Sequence, residues 1–178
     1  MTVTFFTGGA RSGKSYAAVH AATQIDHQVL FVATATALDD EMAHRIARHQ
    51  AERPLHWKTI EEPLDLIAAV THVPPDTTVI IDCLTLWVTN QLLDGLSTTE
   101  IVFRAHELVT WAAGRAGHAF IISNEVGSGI VPLGELTRGF QDALGTVNAV
   151  VSNGADRAFA FISGRPVALG NLNDILLP

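Results

Sequence analysis

The chain has 178 residues, a formal charge of -7 and 48% hydrophobic residues. That length matches one domain able to bury a core, and the apolar content rules out a disordered chain. The acidic balance argues against a general nucleic-acid binder, which would need Lys and Arg to neutralise phosphates, but a local nucleotide pocket stays open. Cys83 is the only cysteine, so an internal disulfide and a Cys-rich zinc site are excluded.

The N-terminal "MTVTFFTGG" has neither the basic region nor the long apolar core of a signal peptide. No window approaches the roughly 20 apolar residues of a membrane span. The expectation is a cytoplasmic protein.

Short apolar runs alternate with helical patterns along the chain. "TVTFFT" (2–7) predicts a strand, then comes a Gly-rich turn and a helix from Lys14 to about Thr23. "QVLFVAT" (28–34) predicts a second strand and "DDEMAHRIARHQ" its helix. Further strands are expected at 77–85, 118–123 and 157–163, with "GRPVALG" turning back antiparallel at the edge. Helical stretches fill 63–71, 86–93, 98–115 and 132–151. Continuous Val/Ile/Phe/Ala runs separated by helices indicate an α/β fold with a mostly parallel sheet flanked by helices. No repeat, low-complexity segment or linker divides it, so residues 1–178 are expected to form one P-loop domain.

"GGARSGKS" is the strongest local signal. It fits G-x-x-x-x-G-K-[ST] with Gly8, Gly13, Lys14 and Ser15 in place, between a predicted strand and a predicted helix. The glycines let the backbone wrap so that N–H groups face phosphate oxygens, and the following helix points its positive end at them. Lys14 is expected to reach the β- and γ-phosphates and Ser15 to offer its hydroxyl to Mg²⁺. Asp82, closing "VIID", is the natural candidate for the second metal-site carboxylate, with a cap of the next helix as the lesser alternative. Asp39, Asp40 and Glu41 read instead as the cap and first turn of the second helix.

That helix carries two histidines. At 3.6 residues per turn, Met42, Ile46 and His49 share a face, with Arg45 and Arg53 near the stripe. His44 and Arg48 fall on the opposite side, so the histidines are not a metal pair. An inward His49 beside arginines is either a hydrogen-bonded, partly buried residue or a nucleophile toward phosphorus.

"TGGARSGKS", "DDEM-x-x-RI-x-x-H", "RP-x-x-W" and "NEVG-x-GIVP" together, in this order and across most of the chain, resemble the bifunctional adenosylcobinamide kinase / adenosylcobinamide-phosphate guanylyltransferases of cobalamin biosynthesis. The resemblance implies two reactions. A nucleoside triphosphate, ATP or GTP, phosphorylates the aminopropanol arm of adenosylcobinamide. GTP then gives GMP to that phosphate through a guanylyl-histidine, and His49 is the matching residue. Lys14 is the other catalytic residue expected. The resemblance also implies nucleotide contacts from Gly8, Gly9, Ala10, Arg11, Ser12, Gly13, Lys14 and Ser15. A second set is Thr34, Ala35 and Thr36; a third is Gln50, Ala51, Glu52 and Arg53. Glu61 and Asp82 are acidic contacts, either of which could face guanine or Mg²⁺. The implied substrates are adenosylcobinamide and its phosphate, and the implied assembly is a homotrimer. Two departures stand out: the family often has Glu where Asp82 stands, and a histidine can occur at Arg48.

"NEVGSGIVP" follows the fourth predicted strand, where α/β sheets bind ligands, and Glu125 there could contact substrate or be a plain turn residue. Trp57, Trp87 and Trp111 are expected in the core rather than the site. A monofunctional P-loop kinase or a nucleotide-binding regulatory module would share the phosphate loop but leave His49 without a role.

Overall fold

The computed structural model describes residues 2–25, 28–37 and 39–171. In chain order the strands are β1 (Val3–Gly8), β2 (Val29–Ala33), β3 (Lys58–Glu61), β4 (Thr78–Asp82), β5 (Ala119–Ile122), β6 (Arg157–Ile162) and β7 (Arg165–Leu169). The helices are α1 (Lys14–Ile25), α2 (Asp40–Ala51), α3 (Leu66–Val70), α4 (Leu84–Leu93), α5 (Thr98–Ala113) and α6 (Glu135–Gly154). The seven strands form one sheet in the order β3-β2-β4-β5-β1-β6-β7. All neighbours are parallel except β6 and β7, which form the expected antiparallel edge.

The central strands are buried on both sides because they alternate between two cores. Val3 and Phe5 of β1 join Ile81, Ile121, Trp87, Leu108 and Leu144 under α4, α5 and α6. Phe6 faces the other way, joining Phe31, Ile80, Phe120 and Ile122 under α1. The α1 contribution to that core is Ala18 and Ala22, both fully buried, and such small side chains let the helix lie close to the sheet. Trp87, expected in the core, is 1% exposed, and its indole N–H donates to Leu64 O.

Several element ends shift from expectation for local reasons. Glu62 accepts from the N–H groups of Leu64 and Asp65, and Asp65 caps Ala68, so the third helix begins at Leu66. The last helix starts at Glu135, beyond Pro132 and its Gly134 cap. The fifth begins cleanly behind a capping box of Ser97 and Glu100. β3 lies outside every predicted strand. Its "KTIE" residues are all exposed at the sheet edge, so they lack an apolar run that would mark them.

One close approach positions the phosphate loop. Gly8 ends β1 at φ +139, beside β6, and a Cβ there would sit 2.5 Å from Phe161 O. Strain and backbone overlap together predict that Gly8→Ala loses about 2–4 kcal/mol of stability, measurable by urea unfolding. A variant as stable as the parent would show that β6 yields at this point.

Candidate active site

The parallel register brings the C-terminal ends of β1, β2, β4 and β5 to one edge of the sheet, the edge at which α/β folds bind ligands. A cleft of about 450 Å³ opens there, within the range of roughly 300–1,000 Å³ of small-molecule sites. Residues of the phosphate loop and of α2 both line it.

Loop residues Arg11 (φ +57) and Gly13 (φ +97) bend the chain into the start of α1. Lys14 is buried, and its Nζ donates to Gly8 O at 2.9 Å, Gly9 O at 2.7 Å and Ser12 Oγ at 3.3 Å. Ala10, Arg11, Ser12, Gly13, Lys14 and Ser15 line the cleft, whereas Gly8 and Gly9 do not.

The inward stripe of α2 forms as expected. Met42, Ile46 and His49 are half-buried and line the cleft; His44 is exposed and does not. The Arg45 side chain lies outside what is described. Arg48 departs from its expected place on the opposite side, because its long side chain lets it line the same cleft. Asp39 caps the helix by accepting from Met42 N at 2.7 Å, with Asp40 and Glu41 in the first turn.

Asp82 ends β4 and lines the same cleft. Burial pushes its carboxyl pKa up; a hydrogen bond from Ser15 and the charges of His49, Arg53 and Lys14 oppose that shift. Arg53 also lines the cleft. Its guanidinium lies 3.6 Å from the Phe31 ring centroid, and Nη1 donates to Thr59 Oγ1 at 3.4 Å. Burial lowers the Arg53 pKa, while Asp82 and Glu61 act to raise it. Next to Asp82, burial and then that carboxylate push the Cys83 thiol up to about 11, which keeps it protonated and unreactive.

Other expected positions are placed differently. Thr34 is fully buried: its hydroxyl donates to Cys83 O at 2.7 Å and accepts from Cys83 N at 2.8 Å, tying the ends of β2 and β4 together. Ala35 lines the cleft and Thr36 is exposed away from it. Glu52 lines the cleft, but Gln50, Ala51 and Glu61 do not; Gln50 Nε2 donates to Glu61 Oε1 at 3.1 Å. Glu125 is exposed, and its backbone N–H donates to Gly8 O, whereas its neighbour Asn124 lines the cleft. Trp57 is buried and Trp111 half-buried beneath the Arg115 guanidinium. Tyr16, Leu86 and Ile122 also line the cleft, without having been singled out in the sequence. Tyr16 follows Ser15 into the first turn of α1, the one signal that could have pointed to it.

Among the described residues, no three His, Cys, Asp or Glu side chains are grouped to hold a metal. Mg²⁺ does not require such a cage, since it binds through one or two carboxylates plus phosphates and water. The adjacent oxygens of Ser15 and Asp82 fit that pattern.

Fold and site together define a P-loop nucleotide-binding α/β protein. The family described as "Cobinamide kinase / cobinamide phosphate guanyltransferase" matches residues 4–169, and the chain belongs to it. It is an enzyme of that class. The bifunctional adenosylcobalamin biosynthesis protein CobP of Pseudomonas aeruginosa is 39% identical over 163 residues, covering 91% of this chain and 94% of CobP. The bifunctional adenosylcobalamin biosynthesis protein CobU of Escherichia coli is 37% identical over 173 residues, covering 89% and 94%. Among solved structures, the RadB recombinase aligns with a TM-score of 0.53 at 15% identity, covering 89% of this chain and 73% of that one. A Pyrococcus horikoshii OT3 protein, PH0250, aligns with a TM-score of 0.57 at 8% identity, covering 98% and 89%. These last two are likenesses of fold alone.

The raised Asp82 pKa has a stability consequence. The folded chain holds that proton more tightly than the unfolded chain, so the stabilisation is complete below the unfolded value and is lost as pH rises through the folded one. Without nucleotide or Mg²⁺, Asp82→Asn should therefore melt higher than the parent at neutral pH, with the gap closing toward acid. A lower Tm at neutral pH would show that the neighbouring cations outweigh desolvation.

Proposed function

We propose that this one cleft serves two successive transfers to the same corrinoid arm. In the first, the hydroxyl of the aminopropanol arm of adenosylcobinamide attacks the γ-phosphorus of a nucleoside triphosphate, ATP or GTP; the bond to the bridging oxygen breaks, the nucleoside diphosphate leaves and the hydroxyl proton passes to solvent. In the second, His49 attacks the α-phosphorus of GTP and pyrophosphate leaves. The adenosylcobinamide phosphate then takes the GMP from His49, giving adenosylcobinamide-GDP. The observation that carries this reading is that His49 and the Lys14 phosphate loop line one cleft.

The parts have distinct work. The loop N–H groups and Lys14 hold the triphosphate. Arg11, Arg48 and Arg53 line the same space and would neutralise charge that builds on phosphate oxygens. Ser15 and Asp82 would hold Mg²⁺, which when bound would supply neutralisation of the triphosphate's charge. Met42, Ile46 and Leu86 give the cleft an apolar lining that limits water near the reacting phosphorus.

No helix of the described residues is long and apolar enough to cross a membrane. The family resemblance supports a cytoplasmic homotrimer. Exposed Ile130, Val131, Leu133 and Leu136 cluster after β5 and favour an assembly that would cover them.

Incubation with Mg²⁺ and GTP labelled at the α-phosphate tests the second step. The expected outcome is acid-labile, base-stable label on the denatured chain that is absent from His49→Ala, which should still phosphorylate adenosylcobinamide. A parent protein that binds GTP without acquiring label would favour a plain kinase.

Lys14→Ala should slow both half-reactions by about a hundredfold or more, because both use the same loop. Unchanged rates in steady-state assays of the two reactions would separate the loop from the chemistry.

A further inference from the structure

The His49 imidazole has two nitrogen edges, and one already has a partner. Nδ1 faces Glu52 Oε2 at 3.7 Å, three residues further along. That is ion-pair range, a small side-chain rotation short of a hydrogen bond. Contacts to catalytic histidines commonly tighten only once substrate is bound.

The helix itself does not account for Glu52. It is the C-cap of α2, its N–H donating to the carbonyls of Arg48 and Gln50, so its place relative to the ring is set by backbone. A carboxylate at a helix C-terminus opposes the dipole, which favours cations there. Arg48 lies four residues back, at the spacing where opposite charges pair along a helix, yet the carboxylate meets His49 instead. Asp82, the other acid near His49, acts on it only through charge and shares that influence with Ser15, Arg53 and Lys14, whereas Glu52 is the carboxylate within ion-pair distance of the ring.

We propose that Glu52 is a positioning residue. It accepts a hydrogen bond from Nδ1–H, holds neutral His49 in that tautomer, and leaves the Nε2 lone pair as the nucleophile. The partner of one imidazole nitrogen decides which form the ring takes. This rests on the reading of His49 as the guanylyl acceptor.

The atoms balance without a proton leaving the ring. The Nε2 lone pair forms the N–P bond while the bond from the α-phosphorus to the bridging oxygen breaks, and pyrophosphate departs with that electron pair. Nδ1 keeps its proton, so the guanylylated ring is cationic and Glu52 lies beside its charge. When a phosphate oxygen of the acceptor attacks the same phosphorus, the N–P bond breaks and its electron pair returns to Nε2. His49 is then neutral again, in its starting tautomer.

The test uses full-length protein with ¹⁵N-labelled histidine, studied by NMR at alkaline pH, beside single-turnover guanylylation from α-labelled GTP. The parent, Glu52→Gln, Glu52→Ala and His49→Ala are compared. In the parent, His49 should be protonated at Nδ1. Glu52→Gln should keep that tautomer, since its amide oxygen still accepts, but label more slowly because the charge is gone. Glu52→Ala should shift His49 toward the Nε2–H form and lower the labelling rate by about 10- to 100-fold, the usual cost of losing such an outer partner, with little change in KM for GTP. A parental tautomer and rate in Glu52→Ala would overturn the proposal. So would a Glu52→Gln variant that loses the tautomer yet labels at the parental rate, a variant that needs no alanine substitution to fold. Label that persists in His49→Ala, or never forms in the parent, would instead overturn the assignment of His49 itself.

Discussion

Asp82 is a carboxylate with too little water around it, and the cleft is arranged about that deficit. Ser15 and Lys14 approach from the start of α1, His49 from α2, and Arg53 from the segment after it. Burial still outweighs them, so the carboxyl binds its proton more tightly than usual. The strand ends beneath this carboxylate are held together. The Thr34 hydroxyl does that by bonding both backbone groups of Cys83, the residue next to Asp82. Asn90 adds to the hold by donating to Thr34 O and Pro63 O. The second carbonyl lies just ahead of α3, so α4 is tied to the same corner.

The fold built on that corner separates two duties. One face of the sheet carries the larger core, with α4, α5 and α6 packed over it, and the opposite face carries the smaller core and α1. Away from the cleft, the buried guanidinium of Arg115 donates to the carbonyls of Pro74 and Thr77 and fastens the approach to β4. By contrast, no described side chain of α2 is fully buried. The helix that carries His49 is thus supported mainly at its ends, by Asp39 at one and by the Gln50–Glu61 and Arg53–Thr59 contacts at the other. Such an element owes little of its position to core packing and much to polar contacts near the site.

The sheet and the phosphate loop are legible in the sequence because both rest on local chemistry. Continuous apolar runs mark strands buried on two faces, and glycines at fixed spacing mark a loop that must wrap an anion. The edge strand β3 is not legible, since an exposed strand needs no apolar pattern and takes its pairing from β2 alone. Within the cleft, helical periodicity places His49 inward but misplaces Arg48, whose reach is a property of side-chain length rather than of angle. Thr34 and Glu61 show a different limit. Adjacency in sequence to a ligand-facing residue does not say whether a polar side chain faces the ligand or is bonded into the frame, and both of these have partners within the protein. Asn124 lines the cleft while Glu125 does not, a difference of one residue that depends on where β5 stops.

The lysine of the phosphate loop has partners within the loop itself. Lys14 already rests on the carbonyls of Gly8 and Gly9. An arriving phosphate therefore exchanges one set of partners for another, and its affinity is the difference between two satisfied arrangements. The same exchange runs backwards when a spent nucleotide or pyrophosphate departs, since the loop can close its own hydrogen bonds as the ligand leaves. On the proposed reading, in which one cradle is emptied and refilled between two reactions, a lysine with somewhere to return to eases turnover as much as it aids capture.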